Sequence, residues 1–105
     1  MKKFIIILRN KRKGELQAEL LRSHVNHLRE LNKLGILFLC GPFADNNDAM
    51  KIIKANSFKE ADKIANLDPF TINKYYLEYE IHELIEANEN NDFLLSNTLD
   101  KLLVE

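Results

Sequence analysis

Two titratable side chains, His24 and Asp68, have the types and the placement for general acid–base chemistry. His24 falls within a stripe of leucines at helical spacing, which predicts that its imidazole points towards the core. Asp68 continues the apolar set of a later helix, so its carboxylate is expected near the same sheet. An imidazole titrates near neutral pH, and a neighbouring carboxylate fixes its tautomer, so such a pair can move protons on small organic molecules.

Both residues also have purely structural explanations. A histidine on an apolar helix face is more often a satisfied core residue than a catalyst, and Asp68-Pro69 is by itself a turn that ends a helix. A carboxylate near a helix C-terminus is electrostatically unfavourable, however, so Asp68 should need a cation or a hydrogen-bond donor nearby. Asp45 is a second candidate partner for the histidine.

A turn and a basic cluster provide candidate binding residues. In Gly41-Pro42-Phe43, the glycine would allow a ligand to approach the backbone closely, and the phenylalanine would offer an apolar wall. Arg9 closes the first predicted strand and is the best candidate for an anion-attracting rim at the pocket mouth. The alternative for its basic cluster, residues 9–13, is a solvated loop.

Metal and nucleophile chemistry are disfavoured. His27 diverges from His24 around the helix, and with His82 the histidines make no recognisable metal-ligand spacing, so we expect neither a metal nor another cofactor. The single cysteine, Cys40, lies in an apolar run, where a small buried thiol without an activating partner is expected. One cysteine cannot form an internal disulfide, which fits a cytoplasmic protein.

The elements that must position these residues follow in the order β-α-β-β-α-β. The first strand is apolar on both alternating sets, which predicts burial on both faces. Two lysines in the third strand indicate an edge position, and Ser57 with Glu60 predicts a capping box at the second helix. The predicted strands are residues 4–8, 36–40, 49–55 and 76–84, and the predicted helices are residues 15–34 and 57–68.

This order is typical of the ferredoxin-like α+β fold, in which right-handed crossovers place two helices on one face of a four-stranded antiparallel sheet. The other face is left bare. Because the first strand is apolar on both sides, we expect a second subunit to cover that face.

The chain divides into this domain, residues 1–86, and a tail, residues 87–105. After a polar linker, the leucines at positions 95, 99, 102 and 103 have helical spacing and predict a C-terminal helix. The helix is expected either to pack on its own sheet edge or to cross to the partner subunit.

Composition excludes several classes of protein. The 105 residues are 46% hydrophobic with a formal net charge of -1, which gives no overall attraction to nucleic acid. No segment approaches the roughly 20 apolar residues that span a bilayer.

The histidine, the Gly-Pro-Phe turn and Asp68-Pro69-Phe70 occur in an order and at a spacing that resemble the YciI-like (YCII-related) family, over residues 3–84. The resemblance implies a dimeric α/β barrel and gives the family's His–Asp pair to His24 and Asp68. It also implies a ligand-binding context for Asp45. The chain departs from the pattern at residues 46–48, where a glycine is common, and this leaves the shape of the pocket rim open.

The resemblance extends to chemistry, since some relatives are associated with dehalogenation or elimination on hydroxylated aromatic compounds. We therefore expect a homodimer with a pocket in which His24 and Asp68 perform acid–base chemistry, of the elimination or isomerisation type, on an unknown small molecule. The alternative is a ligand-binding or structural dimerisation module in which the same residues only bind or pack. A haem-handling or oxygenase relative is disfavoured, because the motif is not theirs.

Overall fold

The computed structural model describes residues 1–104, except for the side chains of residues 97, 98 and 102–104. None of the helices within that range is long and apolar enough to cross a membrane. The elements are β1 (Lys2–Lys11), α1 (Ala18–Lys33), β2 (Leu37–Pro42), β3 (Ala49–Ala55), α2 (Phe58–Asn66), α3 (Pro69–Ile72), β4 (Tyr76–Leu84), a 3-10 segment (Glu89–Leu94) and α4 (Leu95–Val104).

The strands form one antiparallel sheet in the order β2-β3-β1-β4. This is the predicted ferredoxin-like α+β fold, which is confirmed. The edge position predicted for β3 is wrong, because β3 lies between β2 and β1. Its two lysines, Lys51 and Lys54, fall on opposite faces of the strand, and Lys51 is buried on the helix side.

Local sequence explains where the helices begin and end. The Ser57 side chain accepts a hydrogen bond from the Glu60 backbone nitrogen and so caps α2. Helix α1 closes at Leu34, and Gly35 follows with a φ of 73°, a conformation that glycine adopts without a steric cost. These ends fix the sequence position of the residues that face the sheet.

The core lies between the helices and one face of the sheet. Phe4, Ile6 and Leu8 of β1 are buried there, with exposures of 3% or less. Ile5 and Ile7 point to the opposite face and are only half-buried in the single chain. The helices therefore leave one sheet face uncovered, as the strand pattern predicts.

The tail forms the predicted helix, although the linker is not wholly irregular, since Glu89–Leu94 is a 3-10 segment. Within the described residues, α4 contacts the 3-10 segment and no strand. Of the two expected placements of α4, packing on its own sheet edge is therefore not observed within the described residues. Leu95 and Leu99 are about half exposed, while the predicted leucines 102 and 103 lie outside the described side chains.

Candidate active site

The structure brings His24 and Asp68 together. His24 Nδ1 lies 2.8 Å from Asp68 Oδ1, so one hydrogen bond joins helix α1 to the segment that follows α2. The Asp68 side chain is fully buried and that of His24 is 16% exposed. The carboxylate is thus sealed in the interior, while the imidazole keeps limited access to the outside.

The position of Asp68 differs from the one predicted at the end of the second helix. Helix α2 ends at Asn66, and Asp68 is the N-cap of the short helix α3. Its Oδ1 also accepts a hydrogen bond from the Phe70 backbone nitrogen, at 2.9 Å. The carboxylate therefore contacts both the imidazole and the N-terminal end of helix α3, where a negative charge is favourable.

Lys51 is a third member of this cluster and is not among the site residues predicted from the sequence. Its Nζ lies 2.8 Å from Asp68 Oδ2, and its side chain is only 2% exposed. A signal was present, because alternation places Lys51 on the same face of β3 as Ile53 and Ala55. A lysine on the buried face of a strand needs a counter-ion, and Asp68 supplies it.

The charges of this cluster determine its protonation. Burial alone would raise the pKa of Asp68, but the hydrogen bond from His24 and the positive charge of Lys51 outweigh it and hold that pKa well below its ordinary value. Asp68 is therefore ionised and can only accept hydrogen bonds. The neighbouring His27 is half-buried, and its burial together with the charge of Lys51 lowers its pKa.

An ionised Asp68 sets the tautomer of His24. Because the carboxylate has no proton to give, the short contact requires a proton on His24 Nδ1, which leaves Nε2 as the basic nitrogen of the neutral ring. The ring also stacks on Phe70, with centroids 3.7 Å apart and planes 9° from parallel. Hydrogen bond and stacking together fix the orientation of the imidazole.

A cavity of about 470 Å³ adjoins the cluster, and His24, Lys51 and Asp68 form part of its wall. The rest of the wall is mainly apolar or aromatic, and includes Tyr75 and Tyr76. Burial raises the pKa of Tyr76, so its hydroxyl stays protonated at neutral pH. The size and lining are those of a site for a small organic molecule.

The structure brings some of the predicted binding residues to this cavity and leaves others outside. Gly41 and Pro42 line it. Phe43 is not part of the wall, and neither is Asp45, whose Oδ1 accepts a hydrogen bond from the Asn47 backbone instead. Arg9 also lies away from the cavity, since it points to the opposite sheet face.

The guanidinium of Arg9 is engaged in two ion pairs. Its Nε donates to Glu80 Oε1 at 2.7 Å, and its Nη1 lies 3.2 Å from Asp48 Oδ2. The hydrogen bond and charge of Glu80 raise the pKa of Arg9. Its charge is thus matched on the sheet surface and does not form the rim that was predicted.

One residue next to the turn differs from expectation. Cys40 is exposed and lines the cavity, because it lies on the edge strand β2, so the predicted buried thiol is wrong. A Cβ at Gly41 would meet no atom within 4 Å, so nothing in the fold requires glycine there.

Among the described residues, no three histidine, cysteine or acidic side chains converge as metal ligands.

Comparison with known proteins agrees with the fold and the motifs. The YCII-related domain family matches residues 1–85, so the chain is a member of that family. No curated protein sequence matches the chain significantly.

One solved structure with a similar fold is 5-chloro-2-hydroxyhydroquinone dehydrochlorinase from Burkholderia phenoliruptrix, in complex with 2,5-dihydroxybenzoquinone. The similarity has a TM-score of 0.65 at 22% sequence identity, and it covers 85% of this chain and 99% of that chain.

Proposed function

We propose that the chain is a small-molecule enzyme in which His24, positioned by Asp68, transfers protons in an elimination or isomerisation. The observation that carries the proposal is the 2.8 Å contact between His24 Nδ1 and an ionised Asp68, in the wall of an apolar cavity. A surface His–Asp contact without a cavity would support no such role, because a base must reach its substrate.

The chemistry follows from the tautomer. With Nδ1–H held by Asp68, Nε2 accepts a proton from a hydroxyl group or an acidic carbon of the substrate. The electron pair left behind forms a new double bond, and the leaving group departs with its own bonding pair in an elimination. Asp68 stabilises the imidazolium formed in this step, which then returns its proton to product or solvent.

The preferred substrate is a small, planar, hydroxylated ring. Phe70, Tyr75 and Tyr76 form an aromatic part of the cavity wall. Phe70 stacks on the imidazole and Tyr75 contacts Phe70, and flat rings pack well against such walls. The fold is shared with a dehydrochlorinase that acts on a chlorinated hydroxyhydroquinone, and that compound class is therefore the first to test. Arg9 and Asp45 have no part in this proposal, since neither reaches the cavity.

The test is chloride release from chlorinated hydroxyhydroquinones by the protein and by His24→Gln. We expect the variant to lose at least about 100-fold in turnover, the usual scale for a general acid–base group. His82→Gln is the matched control, because His82 is 60% exposed and contacts Glu80 away from the cavity. Ring binding with no turnover in any form would favour the alternative of a non-catalytic binding module.

We further propose that the functional unit is a homodimer joined through the uncovered sheet face. Ile5 and Ile7 lie on that face, and Ile5 pairs across the sheet with Ile52, which pairs in turn with the half-exposed Leu39. Ile52 is already buried in the single chain, whereas Leu39 is exposed and Ile5 and Ile7 are half-buried. A second copy offers the same apolar row, so a two-fold interface would remove the exposed parts of both rows from water.

Sedimentation of the chain and of a form ending at Glu86 would test the dimer and the domain boundary together. Glu86 is retained because its carboxylate pairs with Lys3. Twice the chain mass of 12.3 kDa is expected for the full chain. We expect the shortened form to fold. If its dimer is weaker than that of the full chain, α4 is assigned to the partner's surface. A monomeric full chain would contradict the proposal.

A further inference from the structure

The ammonium group of Lys51 has unused hydrogen-bonding capacity. Among the described residues, Asp68 Oδ2 is its one hydrogen-bond acceptor, at 2.8 Å. An ammonium has three N–H donors, so two of them lack a protein acceptor. At 2% exposure the side chain has almost no access to bulk water, and unsatisfied donors on a buried cation are costly.

The cavity is where an acceptor for these donors would sit. Lys51 is part of its wall, next to the same carboxylate that holds His24. We infer that Lys51 binds an oxygen of the ligand directly, as a carbonyl or as a ring hydroxyl that ionises, and so places this oxygen beside His24. The inference rests on the proposed function and narrows its substrate to rings that carry such an oxygen.

Charge balance within the cluster supports an ionising hydroxyl. With a neutral imidazole, Lys51 and Asp68 cancel each other and the site carries no net charge. When a ligand hydroxyl gives its proton to His24, an imidazolium and an oxyanion are formed together. The imidazolium then faces Asp68 and the oxyanion faces Lys51, so each new charge has an opposite charge beside it.

The test measures binding of 4-nitrophenol, whose phenolate form has its own visible absorption band. 4-Nitrotoluene, in which a methyl group replaces the hydroxyl, serves as the matched ligand. We expect the protein to bind 4-nitrophenol as the phenolate and in preference to 4-nitrotoluene. In Lys51→Met this preference should fall by about 10- to 100-fold, the worth of one hydrogen bond to a charged group.

Lys63→Met is the control variant, since it makes the same change at an exposed position of α2, away from the cavity wall and from the uncovered sheet face. If Lys51→Met does not fold, Lys51→Met/Asp68→Asn removes both charges and should lose the same preference. Equal preference in the protein and its Lys51 variants would overturn the inference. Absence of 4-nitrophenol binding to the unaltered protein would overturn it as well.

This result separates the inference from the proposed function. If chloride release depends on His24 and ring binding does not depend on Lys51, the proton-transfer proposal stands and the proposed oxygen site at Lys51 is wrong. If ring binding depends on Lys51 but turnover does not depend on His24, the oxygen site stands and the proton-transfer proposal is wrong.

Discussion

Replacing Lys51 by methionine tests how far the buried cluster depends on charge pairing. The substitution keeps most of the side-chain volume but leaves Asp68, which is fully buried and ionised, without its cation. Removal of one partner of a buried pair costs about 3–5 kcal/mol. The contacts to His24 and to the Phe70 backbone remain, so we expect the lower end, about 3 kcal/mol, out of a total stability on the order of 5–15 kcal/mol.

The assay is urea unfolding followed by circular dichroism, at one fixed protein concentration because a dimer unfolds in a concentration-dependent way. Lys63→Met is the control and should change the free energy of unfolding by no more than about 0.5 kcal/mol. Adding Asp68→Asn to the Lys51 variant should recover part of the loss, since no unpaired charge would then be buried.

The pH dependence gives a second check on the same variant. The pKa of Asp68 is lower in the folded protein than its ordinary value of about 3.9. The stability that comes from this shift is present above about pH 4 and is lost as the pH falls towards the folded value. The protein and Lys51→Met should therefore converge at low pH. A cost near neutral pH below about 1 kcal/mol, or one equal to that of Lys63→Met, would refute the charge-pairing argument.

Two further predictions concern the rings around the cluster. Burial and the charge of Lys51 lower the pKa of His27 in the folded protein. The unfolded chain therefore binds this proton at a higher pH, and the stability should fall as the pH drops below about 6.5. In thermal unfolding between pH 7.5 and 5, the melting temperature of His27→Leu should depend less on pH than that of the unaltered protein, and an equal dependence would contradict this prediction. Phe70→Leu removes the ring stacked on His24. Turnover should fall by about tenfold or more because the imidazole loses its orientation, while the affinity for ring ligands should change less. An equal loss of turnover and affinity would indicate a collapsed cavity.

The sequence pattern predicted the fold because the fold depends on local signals that agree with each other. Alternation in Tyr76–Leu84 gave β4 with its observed bounds, and the serine cap began α2 at the predicted place. The double-sided apolar run of β1 indicated a sheet with one face uncovered by helices. Each of these signals lies within a few residues of the element that it determines.

Features that depend on distant partners were not predictable in this way. A lysine in a strand is compatible with an exposed edge or with a buried ion pair, and Lys51 belongs to the second class only because Asp68, seventeen residues later, reaches it. The place of Arg9 and Asp45 in the chain predicts that both are pocket residues. Strand register instead turned Arg9 towards Glu80, and loop geometry engaged Asp45 with the Asn47 backbone.

Helical spacing and the family resemblance together predicted that His24 and Asp68 pair, but they did not predict what determines the geometry of the contact. Helix α3 is too short for periodicity to detect, and its N-cap position points the Asp68 carboxylate inwards. Stacking of the imidazole on Phe70 is likewise a contact that no local pattern contains.

The most direct test of the account is nuclear magnetic resonance of the histidine ring nitrogens, with and without 4-nitrophenol. We expect Nδ1 of His24 to carry a proton in the free protein, and the Nε2 signal to shift when the ligand is added. The exposed ring of His82 is the internal reference and should not respond. A proton on Nε2 with a bare Nδ1, or a ligand response confined to His82, would contradict the account.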